Sequence, residues 1–335
     1  MEKVVALNDW KQFEQDIVAE SSLVDELLAY LKQTIVGQEA LLERLLIGLF
    51  GNGHLLLEGV PGLAKTLAVK SLAQAIQVQF NRIQFTPDIL PADILGTMIY
   101  NIHSNEFSVK KGPVFSNFVL ADEINRAPEK VQSALLEVMQ ERQVTIGNDT
   151  YPLEQPFLVL ATQNPVEQGG TYELPEAQMD RFMLKVLITY PSLEEERMII
   201  RQHTSRPVEK MPEPALTVAQ VLHIQSLVKK IYIDPKIEDY ILNIIFCTRF
   251  PENYQLPHLQ PMLRYGSSPR GSINLAVAAR AHAFLRKRAF VLPEDIRAVV
   301  PDVLRHRIGL TYTARAESVT ADDVIAQVLK AVPAP

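Results

Sequence analysis

The chain of 335 residues has one cysteine, Cys247 in "NIIFCTRF", so no disulfide can form within it. That excludes the disulfide-stapled secreted classes and fits a reducing compartment; a cytoplasmic location is the expectation. Cys247 itself reads as a small core residue. Seven histidines are scattered without an H-E-x-x-H helix or a Cys/His cluster, so the signature of a zinc site is missing. No uncharged apolar run approaches the ~18 residues of a membrane-spanning helix. The start, "MEKVVALNDW", lacks the basic and apolar regions of a secretory leader. Positive charge is not in excess either. The formal net charge is −6, which supplies no bulk basic field for nucleic acid. Internal repeats and low-complexity tracts are absent.

What is present is apolar residues, at 47%, enough for sizeable cores in about two or three domains. Residues 1–33 read as an N-terminal helical segment, with the helix over 8–33. Residues 38–50, "QEALLERLLIGLF", repeat apolar positions at three and four. "GNG" then breaks the pattern and "HLLLEG" reads as a short buried strand. Lys65–Ile76 is helical by the same spacing. Further strands are expected at Val78–Phe85, Phe118–Ala121, Phe157–Ala161 and Leu184–Ile188, with an amphipathic helix over Lys130–Arg142. Strand-helix alternation of this kind argues for an α/β fold, a parallel sheet covered by helices on both faces, spanning 34–206. Two segments interrupt it: an insert at about 84–116, and a β-hairpin at about 143–156 with its turn near Gly147-Asn148-Asp149. Composition shifts at "RPVEKMPEPAL", whose prolines and charges mark a linker at 207–216. Residues 217–335 then read as a small all-helical domain, with helices over Thr217–Ile231, Pro235–Thr248, Gly271–Arg288, Pro293–His306 and Thr320–Val332. Pro301 is expected to kink or split the fourth.

Between the first strand and its helix lies "GVPGLAKT", Gly59, Val60, Pro61, Gly62, Leu63, Ala64, Lys65 and Thr66, followed by Leu67. A tight turn opening a helix points backbone N–H groups at phosphate oxygens. In the G-x-x-x-x-G-K-[ST] pattern Lys65 reaches the β- and γ-phosphates and the Thr66 hydroxyl ligates Mg2+. Ala64 stands where glycine is usual, which is tolerable if its φ is negative. "FVLADEIN" ends a second buried strand on Asp122-Glu123, at the edge where open α/β sheets bind ligands. Asp122 can orient Mg2+, and Glu123 can act as general base toward water. "FLVLATQNP" ends a third strand near Asn164, an amide able to hydrogen-bond the water or γ-phosphate; alternatively Asn-Pro starts a turn. Arg181 in "QMDRF" is either a structural ion-pair residue with Asp180 or Glu176, or a charge presented to a neighbouring subunit's nucleotide. Arg270 in "SPRG" begins a helix, where a cation opposes the macrodipole unless an anion lies nearby.

Taken in order, these segments resemble an AAA+ ATPase of the MoxR branch. "GVPGLAKT" is similar to its Walker A, "LADEINRAPEKVQSALLEVMQERQVTIG" to its Walker B and following helix, and "LATQNPVEQGGTYELPEAQMDRF" to sensor 1 with the arginine-finger segment. "SPRG" resembles sensor 2, and "IVGQEALLERLLIGL", with Val36-Gly37, the entry segment near the adenine. The likeness spans roughly residues 30 to 330. It implies a P-loop NTPase αβα sandwich with a helical lid, ATP and Mg2+ as ligands, and a homo-oligomer, a hexameric ring. Lys65, Thr66 and Asp122 would hold MgATP, Glu123 and Asn164 prepare water, Arg181 complete a neighbour's site, and Arg270 report nucleotide state to the lid. The resemblance also implies protein clients, chaperone-like maturation or cofactor insertion, and partners with von Willebrand factor A domains. Two other readings stay open: a nucleic-acid remodeller, and a nucleotide-bound scaffold without turnover. Basic residues on the two insertions would favour the former, but "QVTIGNDTYPLEQ" has none and the other insert has only Lys110 and Lys111.

Overall fold

The computed structural model describes residues 7–103, 105–164, 172, 174–205 and 215–335. Helices α1 (Leu7–Thr34) and α2 (Glu39–Phe50) lead into β1 (Leu55–Glu58), α3 (Lys65–Ile76) and β2 (Phe80–Gln84). The first insert follows as α4 (Pro91–Leu95) and an antiparallel hairpin of β3 (Gly96–Asn101) and β4 (Glu106–Lys111). Then come β5 (Phe118–Asp122), α5 (Glu129–Glu141), a hairpin of β6 (Gln143–Ile146) and β7 (Asp149–Pro152), β8 (Leu158–Gln163), α6 (Glu176–Met179), β9 (Leu184–Leu187) and α7 (Leu193–Ser205). The remainder is α8 (Val218–Lys230), α9 (Pro235–Arg249), β10 (Leu263–Tyr265), α10 (Pro269–Leu285), α11 (Pro293–Leu304), β11 (Gly309–Leu310), α12 (Tyr312–Ala316) and α13 (Ala321–Ala331). The chain falls into two compact units, Leu27–Phe182 with Val186–Leu222, and Met1–Glu26 with Met183–Lys185 and His223–Pro335. Most of the 207–216 stretch lies outside the described residues.

The α/β unit is built on a sheet of order β2-β5-β8-β1-β9, in which β2–β5, β5–β8 and β8–β1 pair parallel. Strand β5 is buried along Phe118–Ala121 and β8 along Leu158–Thr162, so both read as continuous apolar runs rather than as alternation. One face of the sheet meets α5 through Val131, Leu135 and Val138, packed with Val119, Val159 and Phe182. Each such side chain, fully buried, contributes about 1.5–3 kcal/mol. After β1 the chain crosses to the edge at β2 and then fills inward, so that β5 and β8 lie between β2 and β1. The register sets Glu58 opposite Gln163 and Gln84 opposite Asp122, so the carboxyl ends of these strands lie along one edge. His54, fully buried before β1, accepts the Val159 N–H at Nδ1 (3.0 Å) and therefore donates from Nε2 to the Met139 carbonyl (3.0 Å). It joins the entry of β1 to β8 and to the end of α5.

At the root of the first insert, Gly96 and Gly112 cross backbone on backbone. A Cβ on Gly96 would strike the Lys110 carbonyl and the Gly112 nitrogen; one on Gly112 would strike the Ile94 carbonyl and the Gly96 nitrogen. Beyond the crossing the hairpin is almost wholly exposed, Ile102 at 81% and Phe107 at 66%. The second hairpin turns at Gly147-Asn148, Gly147 having φ +65°, with Asp149 already in the return strand.

In the helical unit, α9 is capped by Asp234, whose Oδ1 accepts the Lys236 N–H at 2.9 Å, and buries Ile237, Tyr240, Ile241, Ile244 and Ile245. Cys247 is fully buried on the same helix, and burial pushes its thiol up to about 11, which leaves it unreactive. Helix α11 is not split at Pro301: it continues to Leu304 with the proline inside it. Proline gives up the one N–H that would bond back to the preceding turn, while its own carbonyl takes the Arg305 N–H at 3.0 Å. Asp295, completely buried on α11, holds the guanidinium of Arg288 (2.7 Å) and Nδ1 of His282 (2.6 Å), which keeps its carboxyl below the usual range despite burial. A short ladder of β10 and β11 joins the helices.

Candidate active site

The octapeptide after β1 turns tightly into α3. Gly59 donates to the Gln163 carbonyl (3.3 Å) and has no room for a side chain, because the Ile188 carbonyl passes where a Cβ would sit. Gly62 has φ +87° with nothing within 4 Å of the place a Cβ would take, so glycine is needed there for conformation rather than space. Ala64 overturns the sequence expectation: its φ is +57°, not negative. The turn needs a left-handed residue immediately before α3, and alanine supplies it at a cost of about 1–2 kcal/mol. The reward is an array of donors. Among the described residues, none of the N–H groups of Gly62 to Leu67 donates to another backbone group, as expected of a helix N-terminus.

These donors face a cavity of about 390 Å3. Pro61, Gly62, Ala64, Lys65, Thr66 and Leu67 form one wall. Asp122 and Glu123 from the end of β5, Thr162 and Asn164 from the end of β8, and Arg82 from β2 form the other. Lys65 folds back on the loop, its Nζ donating to the Gly59 carbonyl at 2.5 Å. Burial holds its pKa below the usual ammonium value, against the pull of the carboxylates of Asp122, Glu123 and Glu58. An anion-binding turn, one ammonium, two carboxylates and an amide thus share one space. It fits a polyphosphate, and the Thr66 hydroxyl with the Asp122 carboxylate makes a hard-oxygen pair suited to a divalent cation.

Three side chains that sequence reasoning did not single out organise the acidic edge. Thr162 Oγ1 donates to Asp122 Oδ1 (2.5 Å) and accepts the Glu123 N–H (2.8 Å), fixing both acids against β8. Arg82 donates from Nε (2.9 Å) and Nη2 (2.6 Å) to Asp122 Oδ2. Gln84 donates to Glu123 Oε2 (2.8 Å), an oxygen also paired with Arg126 at 3.2 Å. Glu123 itself has φ +58°, which swings its carboxylate away from the line of the strand. The signal that could have found Arg82 and Gln84 is the "RIQ" alternation: a buried Ile83 between two polar residues of one face, ending at the sheet's ligand edge.

The other candidates lie elsewhere. Val60 and Leu63 belong to the loop but do not line the cavity, Leu63 being buried behind it. Val36 and Gly37 precede α2; Gly37 lies against Glu195 of α7. Arg181 follows α6, half-buried and outside the cavity wall. Arg270 is in the first turn of α10 in the helical unit, behind the cap of Ser268. Residues 165–171 of the sensor-like stretch lie outside the described residues.

Residues 54–184 match the ATPase family associated with various cellular activities (AAA), and 258–328 match the AAA lid domain. Chaperone MoxR1 of Mycobacterium tuberculosis is 48% identical over 96% of this chain and 85% of its own length. Protein MoxR of Methylorubrum extorquens is 31% identical over 98% of this chain and 97% of its own.

The chain belongs to the MoxR family of AAA ATPases.

A crystal structure from Cytophaga hutchinsonii, 50% identical, superposes with a TM-score of 0.92 over 98% of this chain and 99% of that one. Family membership makes the protein an ATP-hydrolysing enzyme with an AAA core and a helical lid. Among the described residues no helix is long and apolar enough to cross a membrane.

Proposed function

We propose that this MoxR-family ATPase hydrolyses MgATP in the cavity between Gly62 and Glu123, as part of a homo-oligomeric, hexameric ring, and couples turnover to the remodelling or maturation of client proteins. The observation that carries the reading is the convergence, on one cavity, of Lys65 and an N–H array without backbone partners among the described residues with Asp122, Glu123 and Asn164. The N–H groups of Gly62 to Leu67 and the ammonium of Lys65 bind the β- and γ-phosphates. Thr66 and Asp122 would hold Mg2+, which when bound neutralises charge on the transferring phosphoryl group. Glu123 takes a proton from the attacking water, and Asn164 orients that water or the γ-phosphate. Val36 and Gly37 contact the adenine. Arg181 acts on the nucleotide of a neighbouring subunit, and Arg270 couples the lid to nucleotide state. For this division of labour we take residues 34–206 as core, 207–216 as linker and 217–335 as lid.

The client role draws on the relative named as a chaperone, MoxR1. Partners with von Willebrand factor A domains are part of the same proposal. The test is phosphate release by the purified chain with Mg2+ or EDTA, for wild type and Lys65→Ala, together with mass determination with and without an ATP analogue. Turnover that persists in EDTA or in Lys65→Ala would refute the site. A Glu123→Gln protein used as bait would identify clients as those retained with ATP and released without it.

A further inference from the structure

Asp122 is engaged on both oxygens: Thr162 holds Oδ1, and Arg82 holds Oδ2 through two donors. Arg82 therefore occupies the carboxylate that a cation would use. Its guanidinium is half exposed, stands in the wall of the cavity shared with Lys65 and Gly62, and is steadied by Gln84 through Nη2 at 2.7 Å. The Asp122 carboxylate is only 14% exposed, so solvent reaches the pair from the arginine side, where the fork is able to leave its partner. Edge strand β2 could have turned this side chain to open water; instead it reaches across the sheet edge to Asp122, in the wall of the cavity.

We propose that Arg82 is a γ-phosphate-binding residue that exchanges partners. Before nucleotide binds it neutralises Asp122; when a divalent cation arrives with the triphosphate and takes Asp122, the released guanidinium turns to the terminal phosphate. The inference rests on the cavity being the MgATP site. Charge supports it: with a cation on Asp122, Arg82 would face a second positive charge unless it found an anion; Glu123 is already held by Gln84 and Arg126, and the terminal phosphate would enter the cavity whose wall the guanidinium forms. A planar guanidinium suits phosphate oxygens better than an ammonium does. A diphosphate offers no such partner, so Arg82 distinguishes ATP from ADP within its own subunit.

The experiment is equilibrium binding of fluorescent ADP and of a fluorescent non-hydrolysable ATP analogue, both with Mg2+, to wild type, Arg82→Gln and Arg82→Lys. Arg82→Gln should weaken the ATP analogue about tenfold or more while ADP changes by less than about threefold. Arg82→Lys should fall between, since it keeps the charge and loses the fork. An unchanged ratio of the two affinities in Arg82→Gln overturns the proposal and leaves Arg82 a local ion-pair residue. ADP binding serves as the fold control; if Arg82→Gln loses ADP too, Arg82→Lys carries the test by the same ratio, an unchanged ratio again overturning it. Failure of the underlying site is a different result: wild type itself then binds neither nucleotide with Mg2+.

Discussion

The side-chain amide of Gln84 donates to Oε2 of Glu123 at 2.8 Å, reaching it from the neighbouring strand. Arg126 pairs with the same oxygen at 3.2 Å. With two donors on Oε2, that oxygen is not open to a water, and the carboxylate is held toward β2 and Arg126. Gln84→Ala should therefore raise basal ATPase activity about tenfold, the low end of one hydrogen bond to a charged group. Steady-state phosphate release measures it; a rate equal to or below wild type would show that Gln84 positions Glu123 for catalysis instead.

Glu123→Gln keeps the shape of the site and removes the base. Nucleotide affinity should stay near wild type while hydrolysis falls ~10²–10⁴-fold. Single-turnover kinetics separate the two effects, and hydrolysis at wild-type speed would assign the base elsewhere.

Ala64 sits at φ +57°, where glycine carries no Cβ penalty. Ala64→Gly should stabilise the folded protein by about 1 kcal/mol, the left-handed cost relieved less the extra chain entropy of glycine. Thermal melting without nucleotide tests this, and a lower melting temperature would contradict it.

His54 is fully buried, with both ring nitrogens committed, and burial pushes its pKa down to about 4 from 6.5. Above pH 6.5 the ring is neutral folded or unfolded, and its bonds contribute fully. As pH falls from 6.5 toward 4, the unfolded chain takes up a proton that the folded chain refuses. Stability then declines by about 1.4 kcal/mol per unit, about 3 kcal/mol in all. His54→Gln, less stable at pH 7.5, should show a flatter decline to pH 5. Parallel melting-temperature curves for the two proteins would count against this role.

Arg181 stands outside its own subunit's cavity wall. If it serves a neighbour, Arg181→Ala and Lys65→Ala should each lose nearly all activity, on the order of 10³–10⁵-fold for the finger. Mixing them should restore part of it, since a Lys65→Ala subunit can lend its arginine to an intact nucleotide site. Mixed rings shown to form yet remaining inactive would make Arg181 structural.

The sequence was most legible where burial imposes a period. Strands β1, β5 and β8, buried on both faces, appear as apolar runs, and α3 and α5 show their core stripes at helical spacing. Expected and observed ends differ by a residue or two. The hairpin of β3 and β4 escaped assignment because it buries no face: Met98, Ile99 and Tyr100 are consecutive and exposed, so no alternation marks them. Helix α7, "LEEERMIIRQHTS", is likewise largely exposed and highly charged. At the site, residues in local motifs were readable, whereas Arg82 was not, since its partner Asp122 lies 40 positions away. The left-handed turn at Ala64 was hidden for another reason: side-chain identity biases φ but does not fix it.

The crossing of Gly96 and Gly112 divides the enzyme into a part that tolerates change and a part that does not. At the crossing, any side chain would pry two backbones apart. A few residues outward, Tyr100 and Phe107 meet as tilted rings (5.1 Å between ring centres) and Ile102 stands in solvent. Substitutions there alter what the enzyme presents to its surroundings while leaving its stability and phosphate chemistry intact. The tip can therefore take substitutions that its root, where a Cβ has no room, cannot.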